Sequence, residues 1–142
     1  MTTQSSQTSS TSPATTARLR LVEKHGSVGI FKVPGTEYRL HLQTNPALSL
    51  KPGDNGRGEV HMTALRMHQS DTGGQFIEPV MGEPRIVHGL VRAVDRTGHR
   101  VLFDIAVPVW VAIQPKQSID DFVPGAMWNC HVASGASFHL AD

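Results

Sequence analysis

Cysteine is almost absent from these 142 residues. Cys130 stands alone, so no intrachain disulfide can form, and the chain fits a reducing compartment such as the cytoplasm. Aromatic residues make up only 6% of the chain, too few for a dense stacking platform. No stretch approaches the ~20 apolar residues that span a bilayer, so no membrane partner is expected. An excess of either charge is missing as well: 13 Lys and Arg face 12 Asp and Glu, for a formal net charge of +1. Overall charge therefore gives no push toward nucleic-acid phosphates or anionic lipid, and only a local patch would. Sequence motifs for a phosphate loop, a dinucleotide fingerprint, or an H-E-x-x-H or C-x-x-C metal site are all lacking.

What remains is one domain's worth of chain with a distinct leading segment. Residues 1–17 are mostly Ser, Thr and Gln without a charged side chain, and such a segment cannot bury enough apolar surface to offset its ordering entropy. They read as a disordered tail, without the basic and apolar regions of a secretory signal. Residues 18–142 read as a single all-β domain. Its strongest pattern is Val101, Phe103, Ile105, Val107, Val109, Val111 and Ile113, apolar at every second position and largely β-branched. Pro108 lacks a ladder donor, which predicts one long strand bent at its middle. Leu19 and Leu21 alternate with Arg18 and Arg20, and Tyr38, Leu40 and Leu42 alternate with Arg39, His41 and Gln43. Residues 59–68, 85–95, 127–133 and 137–140 read as further strands. Pro34-Gly35, Pro52-Gly53 and Pro124-Gly125 predict type II turns, and Asn55-Gly56 predicts a hairpin. One helical turn is expected around Ser118 to Phe122, where Ser118 and Asp121 have capping-box spacing.

Short strands between tight turns predict a sandwich or barrel, and closure removes the exposed edges of so small a sheet. The expected fold is a small antiparallel β-barrel of five to seven strands, with an architecture similar to the OB-fold. In such a barrel, ligands lie across the second and third strands, which nominates Arg39, His41, His61, Arg66 and His68 as a nucleic-acid or ligand face. Arginine outnumbers lysine nine to four, and its planar guanidinium suits phosphate and base stacking. The opposite face of residues 101–113 carries Ala106, Pro108, Trp110 and Ala112, a weakly polar patch suited to a protein interface or an oligomer seam.

Catalytic patterns are thin. No two of the eight histidines are spaced i, i+2, so the H-x-H of cupin-type metal barrels is missing, and His41, His61 and His131 are expected to be half-exposed polar residues rather than a metal site. Cys130 and His131 point to opposite faces of a strand. Ser137 and His139 share a face, but the sequence identifies no third orienting group; Glu59 and His61 read as a surface ion pair. The expected function is a non-enzymatic binding or assembly module that contacts another protein or itself, without cofactor or metal. Single-stranded nucleic-acid binding is the alternative, and a metal-dependent or small-molecule enzyme comes third.

Overall fold

The computed structural model describes residues 14–141. Most of the leading Ser/Thr-rich segment therefore lies outside the described residues. Its last residue, Ala17, is already the first of strand β1, buried and paired with Gly58. Ala17 continues inward the apolar alternation of Leu19 and Leu21, which the surrounding Ser/Thr composition conceals.

Eleven strands follow one another: β1 (Ala17–His25), β2 (Val28–Lys32), β3 (Arg39–Gln43), β4 (Asn55–Ser70), β5 (Phe76–Glu78), β6 (Met81–Gly82), β7 (Ile86–Asp95), β8 (Arg100–Asp104), β9 (Pro108–Ala112), β10 (Met127–Val132) and β11 (Ser137–Leu140). The only helical element among the described residues is a 3-10 turn, Ile119–Asp121, capped by the Ser118 hydroxyl, which accepts from the Asp120 N–H rather than from Asp121. No helix of the described residues is long and apolar enough to cross a membrane. The chain is thus all-β, as alternation and turn chemistry require.

Strand β4 is the hub of the sheet. Its first half pairs with β1 and β11, its second half with β10, and His61–Thr63 also pairs in parallel with β9. The remaining order runs β1-β2-β3-β11 on one side of β4 and β10-β7-β8-β9 on the other. A bulge at Leu65, opposite the His131–Val132 step, separates the two halves. Before it, Val60, Met62 and Ala64 point inward; after it, Met67 does, so one extra residue reverses the parity. Parallel contacts β3–β6, β3–β11 and β4–β9 accompany the antiparallel ladders, a mixture that alternation along single strands does not reveal.

The long bent strand expected over residues 101–113 is corrected to a hairpin. β8 and β9 pair antiparallel, with Val101 opposite Val111 and Phe103 opposite Val109, and Ile105–Val107 form the turn. The paired numbers sum to an even value, so odd positions meet odd positions and the apolar alternation runs through the turn unbroken. Pro108 does not bend a strand; it opens β9, a position where its missing N–H is tolerated. Asn55-Gly56 is likewise not a hairpin turn but the start of β4, paired with Arg20 and Leu19. The chain reverses one step earlier, at Pro52-Gly53. There, and at Pro34-Gly35 and Pro124-Gly125, the fourth residue donates to the first carbonyl at 2.9, 3.1 and 3.0 Å, with glycine φ of 100°, 79° and 91°. These are type II turns, in which only glycine takes the third position without strain.

A single apolar cluster runs across both sides of β4. The tilted rings of Phe31 and Phe138 meet at 4.8 Å between centroids in one part, and Phe122 lies between Phe103 and Trp128 in the other.

Candidate nucleic-acid interface

The outward positions of β1 are Arg18 and Arg20, because Ala17, Leu19 and Leu21 take the core. Pairing then sets Arg18 opposite Arg57 of β4, Arg20 opposite Lys32 of β2, and Lys32 opposite Arg39 of β3. Five cations thus occupy four adjacent strands, a row about 14 Å wide at ~4.8 Å per strand. Among the described residues none of the five is in an ion pair. The β7–β8 hairpin differs: Arg92 meets Asp104 at 2.7 Å and Arg100 meets Asp95 at 2.8 Å, and Arg96 in its turn meets Asp120 at 2.6 Å. Like charges on directly opposed strand positions repel, so the row is held together at a cost that an anion would relieve.

Two adjoining hollows open on this row and share Arg20 and Lys32. One, of about 310 Å³, is completed by Arg39 and Gly53; the other, of about 500 Å³, by Arg18, Gly35 and Asn55. Nothing stands within 4 Å of where a Cβ would be on Gly53 or Gly35, which leaves the backbone there open to a ligand. No aromatic ring lines either hollow, so the row can recognise phosphates but does not stack bases.

The five residues nominated from the sequence do not share this face. Arg39 belongs to the row, and His41 lies two residues further along β3, opposite Ile30. His61 is on β4 before the bulge, hydrogen-bonded to Glu59. Arg66 and His68 lie beyond the bulge, opposite His131 and Asn129 of β10. Of the nominated interface, Trp110 is buried, with the Arg100 guanidinium 4.1 Å above its ring. Ala112 pairs with Arg100 and Thr63, Ala106 packs against the core, and Pro108 borders a hollow with Ala14, Arg92 and Asp104. Trp110 is thus taken up by the protein's own packing, whereas Ala106, Pro108 and Ala112 are half-buried.

Register also joins two pairs that the sequence shows only separately. Ser137 lies opposite His61, and His139 opposite Glu59. The Ser137 hydroxyl is 2.9 Å from Nε2 of His139, the Glu59 carboxylate is 2.9 Å from Nε2 of His61, and the two imidazoles lie 4.5 Å apart between centroids. The His61 hydrogen bond, with the charges of His61 and Arg100, holds Glu59 below its ordinary carboxylate value against its desolvation. Desolvation and the neighbouring His61 push His139 below the ordinary imidazole value, with Glu59 pulling the other way. The buried Trp110 indole N–H faces this carboxylate without completing a hydrogen bond to it. Among the described residues no three His, Cys, Asp or Glu side chains are grouped to hold a metal ion.

Of the row, the sequence offers Arg39 and, as a flexible basic approach to the same face, Arg57 of Gly56-Arg57-Gly58, whereas Arg18, Arg20 and Lys32 were missed. The outward alternation of β1 was visible, but only the register with β2 and β4 shows that these charges adjoin. Compared with family models, with curated proteins and with solved structures, the chain matches none.

Proposed function

We propose that the protein is a cytoplasmic binding module for single-stranded nucleic acid, whose phosphates lie across Arg57, Arg18, Arg20, Lys32 and Arg39. The observation that carries this reading is the row itself: five outward cations in cross-strand register with no carboxylate among them. A single strand fits better than a duplex, because among the described residues no helix stands ready to enter a groove while a sheet surface tracks a flexible backbone. The architecture proposed with it is OB-like. The pairings make two circuits, β1-β2-β3-β11-β4 and β4-β10-β7-β8-β9, each consistent with a small closed barrel that shares β4 with the other.

The test is fluorescence anisotropy with a random-sequence single-stranded oligodeoxynucleotide across a salt series. If all five cations meet phosphates, log affinity falls against log salt with a slope of roughly −3.5. Replacing Arg20, Lys32 and Arg39 together by Gln lowers affinity about tenfold or more and flattens that slope by about 2. No binding at low salt, or a slope the triple variant leaves unchanged, refutes the proposal.

A second reading, contact with another protein or a second copy, is favoured by one separate feature. Leu65, Pro79, Ile86 and Val132, with Arg85 and His131, border a cleft of about 580 Å³, and the nearby Val80 and Met81 are 50% and 63% exposed. Light-scattering mass without nucleic acid distinguishes this reading, since only self-association raises it.

A further inference from the structure

The basic row does not end in empty surface. Along β4 the outward side chains after Arg57 are Glu59 and His61, and β11 sets Ser137 and His139 beside them. At ~3.4 Å per residue, Glu59 is about 7 Å and His61 about 14 Å along the strand from Arg57. A strand of nucleic acid whose phosphates reach Arg57 therefore continues toward two adjacent imidazoles.

Those imidazoles have different surroundings. Nε2 of His61 meets the Glu59 carboxylate, which can only accept, so Nε2 carries a proton there and Nδ1 is the ring's other nitrogen. Nε2 of His139 is tied to a neutral hydroxyl, that of Ser137, and its Nδ1 has no hydrogen-bond partner among the described residues. Desolvation and the neighbouring His61 lower His139, which favours its neutral form. Two imidazoles in contact, one beside a carboxylate and one beside a hydroxyl, can divide between them the base and acid that proton-transfer catalysis requires. The groups facing the pair are Glu59 on β4 and Ser137 on β11, with Trp110 of β9 and Arg100 of β8 acting on Glu59.

We propose that His139 and His61 form a metal-independent acid–base pair that cleaves RNA bound on the basic row. His139 Nδ1 takes the proton of a ribose 2′-hydroxyl, whose oxygen attacks the adjacent phosphorus. The bond from phosphorus to the 5′-oxygen of the next nucleotide breaks, and that oxygen takes the proton of His61 Nδ1. The products are one fragment ending in a 2′,3′-cyclic phosphate and one beginning with a 5′-hydroxyl. The RNA itself supplies the nucleophile, its 2′-hydroxyl, and the leaving group, its 5′-oxygen, so no co-reactant or oxidant is needed. Ser137 is a positioning residue for His139, and Glu59 is one for His61. The inference rests on the nucleic-acid reading and adds to it an activity and the requirement for ribose.

The experiment incubates the full chain with a fluorescent RNA oligonucleotide and its all-deoxy counterpart in EDTA, and identifies fragment ends by mass spectrometry. The RNA is cut to cyclic-phosphate ends and the deoxy strand stays intact. His139→Ala and His61→Ala, purified in parallel, each lower the rate about 100-fold or more, as the loss of a general acid or base does. Their affinity for the deoxy oligonucleotide stays within about twofold of the parent, since phosphate contacts carry binding. Glu59→Gln, which leaves His61 without its carboxylate partner, lowers the cleavage rate while affinity for the deoxy oligonucleotide stays within about twofold of the parent. Cleavage no faster than that of the two histidine variants, or cleavage of the deoxy strand, overturns the inference. If cleavage fails while salt-dependent binding to the row persists, only this inference falls; if binding fails as well, the nucleic-acid reading falls with it.

Discussion

At the scale of single residues, chemistry here is decided by burial and neighbours rather than by residue type. Cys130 is the only thiol and sits at 1% exposure, and desolvation pushes it up to about 12. A thiol so placed is neutral at physiological pH and is neither nucleophile nor metal ligand. The native protein is therefore expected to resist a thiol reagent such as dithionitrobenzoate at pH 8, while the denatured chain reacts with one equivalent at once. Rapid stoichiometric labelling of the native state would contradict the burial. The histidines divide in the same way. His88 is buried, hydrogen-bonded to the Gly74 carbonyl at 2.6 Å and stacked on Phe76, so its role is packing. His61 and His139 lie on the outer face with carboxylate and hydroxyl partners. The sequence shows eight histidines alike, since nothing local separates a packed ring from one placed beside another.

At the scale of elements, β4 carries the most structure per residue, and its glycines are part of that. A Cβ on Gly58 would collide with the His139 carbonyl and approach the Phe138 ring at 2.7 Å, because β11 and β1 both close on β4 at this point. A backbone carbonyl in a ladder cannot swing aside, so Gly58→Ala is expected to destabilise the protein by about 1–3 kcal/mol. Gly74→Ala, where nothing lies within 4 Å and φ is not positive, is expected to change stability by less than about 0.5 kcal/mol. Urea denaturation midpoints of both variants test the contrast; equal effects would refute the close approach. Element identity was largely legible from alternation and Pro-Gly turns. Element number was not: the hairpin of β8 and β9 hides inside a seven-residue alternation whose parity survives its turn, and the Leu65 bulge reverses parity without a signal in residue type.

At the scale of the whole molecule, a shared strand and one continuous apolar cluster couple the two sides of the sheet. Phe31 lies on the β1-β2-β3 side and Phe103 on the β7-β8-β9 side, and both are fully buried. Unfolding is expected to be a single cooperative transition, because neither side keeps its core or its β4 pairings alone. Both tryptophans are on the β9 and β10 side, so their fluorescence reports that side, whereas far-ultraviolet dichroism reports the whole sheet. The two probes should give coincident urea transitions in the parent, and again in Phe31→Ala, with both shifted by about 3–5 kcal/mol. A tryptophan transition unmoved by Phe31→Ala would show that the sides unfold independently.

The sequence by itself determined the all-β class, the inward and outward faces of β1 and β3, the three type II turns and the inability to form an intrachain disulfide. These follow from period-two side-chain geometry, from glycine at positive φ and from counting cysteines, all local properties of the chain. Only the tertiary structure decided which outward residues meet. Arg18 and Arg57 are 39 positions apart, and His61 and His139 are 78 positions apart, yet each pair is side by side. Register arises from long-range pairing along β4 and from its bulge, and no residue announces its partner across a ladder. The candidate site is made of such meetings, so it became visible only when the strands were in place.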